Sequence, residues 1–198
     1  MQILASLILF FLAVIIHECA HGWVALKLGD PTAKHSGRLT LNPLAHIDPV
    51  GTIILPLFLA ISGSPFLFGW AKPVPVNFSG LNNPKKDMMW VGLAGPAANI
   101  LLAIIVSLFI KLEITILPLQ YLETFLIVNL VLAVFNLMPI PPLDGSRVLV
   151  GLLPPKAAFQ YLKLERFGFL IIFGLLFLGI FDYFVWPIVI IVLKILLS

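Results

Sequence analysis

Long apolar runs constrain this chain more than any other feature. Residues 2–28, 88–110 and 119–138 are apolar with very few charges, and another such run fills most of the last 30 residues. A helix needs about 20 apolar residues to cross the hydrocarbon core of a bilayer. Each run therefore predicts a membrane helix. Only 11% of the 198 residues are charged, against about 25% in soluble domains, too few to coat a water-facing surface. The expected fold class is an all-α polytopic membrane protein: a three-helix core, a re-entrant or extended loop region, and C-terminal helices. A lipid bilayer is its expected partner. The formal net charge of +3 is read as loop charge that sets topology, so no nucleic-acid partner is expected. The single cysteine, Cys19, excludes an intrachain disulfide. The first run lacks a basic leader and a small-residue cleavage site, so it reads as a retained span.

One domain is expected over residues 1–198, with its core at about 2–150 and C-terminal membrane segments at about 166–198. Between the first and third apolar runs lies a polar segment, Gly29 to Pro49, followed by an apolar stretch, Val50 to Leu67, interrupted by Pro56, Gly63 and Pro65. Phe68 to Phe78 alternates and is rich in proline and β-branched residues, which predicts extended chain or an edge strand. Lys27, Lys34, Arg38, Lys72, Lys85 and Lys86 precede the third run, and Arg147, Lys156, Lys163 and Arg166 follow the fourth. Only Lys111 lies between the third and fourth. The positive-inside rule places the two basic regions in the cytoplasm. Val50 to Leu67 must then begin and end on one side, as a re-entrant or shallow hairpin. The last run is expected to break near Asp182.

The chemistry is concentrated in His17-Glu18-Cys19-Ala20-His21, an H-E-x-x-H pattern inside the first apolar run. At 3.6 residues per turn, His17 and His21 stand about 40° apart and roughly 6 Å along the axis, so both rings can reach one zinc ion. Glu18 lies beside them, placed to take a proton from a zinc-activated water. Ionisable side chains in a membrane helix cost at least about 2.5–3.5 kcal/mol each at the bilayer centre, and a metal is an economical compensation. Cys19 points away from the metal ridge and is read as packing.

Catalytic zinc takes three protein ligands and keeps one position open. His35 and His46 lie in the basic polar segment, and His46 reads as a surface or capping residue. Glu123, Asp144 and Asp182 are the carboxylates in apolar surroundings. Asp144, after NLMPIPPL, is the best placed. It approaches from the same side as the histidines, which lie roughly 10–17 Å below the surface. Its alternative role is a helix N-cap after the proline turn.

HECAH (17–21), GPAAN (95–99) and NLMPIPPLDG (136–145), in that order, resemble the site-2 protease family of intramembrane zinc metalloproteases, over about residues 8–150. The chain looks like the compact bacterial branch, with no room for a PDZ or CBS domain. The resemblance implies one zinc held by His17, His21 and Asp144, Glu18 as the catalytic acid/base, and transmembrane proteins as substrates. The chain is expected to be a multi-pass protein of the bacterial cytoplasmic membrane, and the charge placement puts its site toward the cytoplasm. Asn136 and Pro139 match positions associated with the substrate channel. Residues 68–76 resemble the family's membrane re-entrant β-loop, with Gly69, Trp70 and Ala71 as candidate substrate contacts; the alternative is a proline-rich connector. Asn99 is a further candidate contact, with an interhelical hydrogen bond as its alternative role. Other functions in view are a zinc-binding membrane transporter, though no inverted repeat stands out, and a non-proteolytic helix-binding scaffold.

Overall fold

The computed structural model describes residues 2–62, 71–114 and 116–198. It is all-helical among the described residues, as expected. Among the described residues nine α-helices follow one another: α1 (Gln2–Lys27), α2 (Thr32–His35), α3 (Leu55–Ile61), α4 (Pro84–Lys111), α5 (Leu119–Asn136), α6 (Asp144–Leu152), α7 (Pro155–Leu162), α8 (Gly168–Phe177) and α9 (Ile180–Leu197). Helices α1, α4 and α5 are long and apolar enough to cross a membrane, and the bent pair formed by the last helices makes a fourth candidate span. The protein is therefore a multi-pass membrane protein.

These helices begin and end where backbone chemistry dictates. α4 starts at Pro84, whose missing N–H is no loss at the first helical position, and the Asn83 side chain accepts from Lys86 N–H. α5 stops at Asn136, before the Pro139-Ile140-Pro141-Pro142 run that cannot continue a helix. The last apolar run breaks at Gly179, in the left-handed region at φ 67°, rather than at Asp182. Asp182 lies in the first turn of α9, where a carboxylate suits the positive end of the helix dipole.

α4 is the central element: it packs against α1, α5, α6 and α9. Ala103 and Val106 of α4, Leu122, Leu126 and Leu130 of α5, and Val185 and Val189 of α9 form the main buried cluster. The opposite faces carry exposed Leu4, Leu7 and Ile8 on α1 and Leu101 and Leu108 on α4. Lipid supplies the partner for such faces. Asn82 N–H donates to Leu28 O at 2.9 Å, so the exit of α1 and the entry of α4 lie side by side. The α4–α5 turn, with Glu113 at φ 54°, closes the other end.

The described part of Val50 to Leu67 is a π-helical segment, Pro49–Ile54, running into α3. These 13 residues extend only about 20 Å at 1.5 Å per residue, short of a full span. Residues 63–67 of that stretch lie outside the described residues, as do Gly69 and Trp70. Residues 71–77 have no regular secondary structure and form no strand, with Asn77 in the extended region and Lys72 and Val74 each before a proline, which favours extended backbone. Pro73 and Pro75 remove two of the N–H groups a ladder needs.

Candidate active site

His17 and His21 share one face of α1 and are 6% and 8% exposed. Asp144 comes from another part of the chain, at the first position of α6. It is not the N-cap: Leu143 holds that place, and no side chain caps the helix. Gly145 allows α6 to begin here, because a Cβ at 145 would run into the carbonyl of Leu137. The fold brings His17 Nε2 to 3.0 Å and His21 Nε2 to 3.2 Å from Asp144 Oδ2, with the two Nε2 atoms 3.0 Å apart.

The bonds behind the rings fix what the front can do. His17 Nδ1–H donates to Asn99 Oδ1 at 2.6 Å, and His21 Nδ1–H donates to Val91 O at 2.6 Å. A neutral imidazole that donates from Nδ1 presents a bare lone pair at Nε2. Two such lone pairs and a carboxylate oxygen converge with no donor hydrogen between them, an arrangement a cation stabilises. Zinc bound at 2.0–2.1 Å by tetrahedral ligands sets them about 3.3 Å apart, close to the observed separations. Gly95 of α4 lies against both rings: a Cβ there would stand 2.5 Å from His17 Nε2 and collide with His21 Nε2. The residues fit zinc.

Asn99 is fully buried. Its amide donates to Asn129 Oδ1 at 2.8 Å and to Ala13 O at 3.4 Å, while its oxygen serves His17. Its polar atoms are thus bound to α1 and α5. Asn129, whose own amide donates to Phe125 O at 2.8 Å, orients Asn99. Sequence reasoning missed it; the only signal was an amide in the middle of an apolar run.

A cavity of about 320 Å³ opens beside His17, His21 and Asp144. Glu18, Val74, Val91, Asn136 and Arg147 contribute to its walls. Glu18 Oε2 accepts a hydrogen bond from Val74 N–H at 2.8 Å. Asn136 donates to Leu132 O at 2.9 Å and still faces the cavity. Pro139 is exposed, lies outside the described lining, and accepts from the Tyr161 hydroxyl at 2.7 Å. Ala71 also lies outside that lining. Arg147 stacks over Phe78 at 5.2 Å and pairs with Glu165, joining α6 to the extended segment and to the chain after α7. Cys19 points elsewhere, its thiol donating to Thr40 O at 3.0 Å. Of the two roles expected for His46, surface or capping, the surface one fails: it is fully buried in the last turn of the short helix Pro43–His46, with Nε2–H donating to Thr40 O at 2.8 Å.

A bundle of apolar helices with an H-E-x-x-H pair and a distant aspartate converging beside a cavity defines a membrane-embedded zinc metalloprotease. Comparison with known proteins places the chain more narrowly. The model of Peptidase family M50 matches residues 113–179. The chain is 38% identical over 183 residues to YwhC of Bacillus subtilis, whose name marks it as a candidate zinc metalloprotease; the match covers 87% of this chain and 80% of that one. It is 31% identical to Rip2 of Mycolicibacterium smegmatis, over 84% of this chain and 64% of that one. It is 29% identical to the zinc metalloprotease MJ0392 of Methanocaldococcus jannaschii, over 87% of this chain and 43% of that one. No solved structure gives a significant match. The chain belongs to peptidase family M50, the site-2 protease family.

Proposed function

We propose that this chain is an endopeptidase that hydrolyses peptide bonds of transmembrane proteins. In this reading His17, His21 and Asp144 hold one zinc per chain and Glu18 is the general base. Residues 1–198 act as a single integral-membrane protease domain. The observation that carries the reading is the convergence of two bare imidazole nitrogens and one carboxylate oxygen beside a cavity that also contains Glu18.

Zinc, when bound, supplies a Lewis acid that acidifies water and polarises the scissile carbonyl. The remaining work belongs to the chain. Glu18 receives the proton of the attacking water and returns it to the leaving nitrogen. Asn136, which lines the cavity, holds the substrate backbone near the reacting carbonyl. Pro139 and the Gly69-Trp70-Ala71 stretch guide substrate toward it, as the family resemblance implies. The basic residues at the ends of α1 and α4, Lys27, Lys85 and Lys86, orient this end of the bundle to the cytoplasmic face of a cell membrane.

The test is a co-expression comparison of wild type with Glu18→Gln, cataloguing membrane-protein fragments that appear with wild type alone. Glu18→Gln is expected to hold as much zinc as wild type, because its ligands survive, and to release no such fragments. Wild-type cleavage by the variant would defeat the assignment of Glu18, and wild-type protein that is active without zinc would defeat the whole reading.

A further inference from the structure

The extended segment beside the site hangs from directed bonds, and none is a strand ladder. Arg38 donates from Nη1 to Ala45 O, and from Nη2 to Lys72 O at 3.0 Å and Pro73 O at 3.2 Å. Lys72 N–H donates to the carbonyl of buried His46 at 2.9 Å. The Val74 side chain rests on α1 where Gly22 leaves room: a Cβ at 22 would lie 2.7 Å from Val74 Cγ1. Farther on, Asn77 N–H donates to Asp30 Oδ2 at 2.7 Å. Held at these points, the segment delivers Val74 N–H to Glu18 Oε2 at 2.8 Å.

These bonds give residues 72–77 a use beside the expected one. An edge that pairs with substrate needs free N–H groups. Pro73 and Pro75 have none, and those of Lys72, Val74 and Asn77 are bound to His46, Glu18 and Asp30. Of the two residues of this segment that carry an N–H and line the cavity, Val74 and Val76, Val74 gives its N–H to the enzyme's own carboxylate. A glutamate side chain has three rotatable bonds, and a base must hold one geometry to take a proton. One backbone donor on Oε2 fixes the carboxylate plane. Oε1 then has no protein partner among the described residues and is free for the reacting proton.

We propose that Arg38 is a positioning residue: through the 72–74 strap it sets Val74 N–H on Glu18 and so holds the base in its working orientation. This rests on Glu18 being the base. The chemistry is that of one charge-assisted hydrogen bond, worth about ten- to a hundredfold in rate.

The full-length chain, purified in detergent, is assayed on the membrane protein whose fragment depends on Glu18 in the co-expression comparison. Zinc content is measured beside kcat and KM. Val74→Pro removes the donor from a segment already extended between prolines, whereas Val74→Ala keeps the donor and trims the packing. Val74→Pro and Arg38→Ala are expected to keep zinc and KM while kcat falls about ten- to a hundredfold. Val74→Ala falls much less than Val74→Pro, and Arg38→Lys recovers part of the Arg38→Ala loss. Equal losses in the two Val74 variants, or wild-type kcat in either Val74→Pro or Arg38→Ala, overturn the proposal. If Val74→Pro elutes without zinc, kcat and KM of zinc-loaded Arg38→Ala decide alone. A dead Glu18→Gln beside a fully active Arg38→Ala sinks the strap and spares the base; an active Glu18→Gln sinks the base first.

Discussion

At His17 the bond that decides the chemistry is made behind the ring. Asn99 accepts from Nδ1, and Asn129 fixes which end of the Asn99 amide faces the histidine. Replacing Asn129 with leucine frees Asn99 to rotate and present its NH2 to a nitrogen that must donate. Zinc affinity is then expected to fall about 10–100-fold, as for other residues that orient metal ligands, measured by chelator competition. Gly95→Ala is expected to be harsher. Its methyl group would occupy the space of the two Nε2 atoms, so the purified variant should contain little zinc while keeping its helical circular dichroism. The H-E-x-x-H pair was visible in the sequence because its residue types and spacing suit metal chemistry, whereas Asp144 was one carboxylate among several that the family resemblance singled out. Asn129 was not, because an amide in an apolar helix has many uses and its partner is 30 residues away.

The elements divide by how local their causes are. α1, α4 and α5 end within a few residues of the expected limits, since apolar length, prolines and caps are written along the chain. The strap is different: its conformation comes from Arg38, His46 and Asp30, all distant in sequence. Burial works against the charge of Asp30, but the Thr32 hydroxyl and N–H and the Asn77 N–H outweigh it and hold the carboxyl below its ordinary value. A depressed carboxylate stabilises the fold fully above its unfolded pKa of about 3.9, and that share is lost as pH falls through the folded value. Asp30→Ala is expected to lower stability by about 1–3 kcal/mol at neutral pH. The difference from wild type should shrink below about pH 4, as read from thermal unfolding in detergent across pH. A gap that stays constant down to pH 2 would remove the carboxylate from this account.

For the whole molecule, the site lies toward the end where α1 leaves, α4 enters and α6 begins, opposite the Glu113 turn. In a Cys19→Ala background, single cysteines at Lys34 and Lys156 should react with an impermeant thiol reagent from one side of a sealed vesicle, and a cysteine at Glu113 from the other. Labelling of positions 34 and 113 from the same side would contradict the topology. The chain's composition and order determined by themselves that it is a membrane helix bundle, where its long helices run, and that His17 and His21 form a pair suited to one metal ion, because hydrophobic length and helical spacing are local properties. Tertiary structure alone decided that Asp144 meets the histidines, that two asparagines stand in series behind one of them, and that a proline-rich strap bonds the glutamate. Those contacts join residues from 30 to 127 positions apart, and such distances close only when α4 draws α1, α5 and α6 around itself.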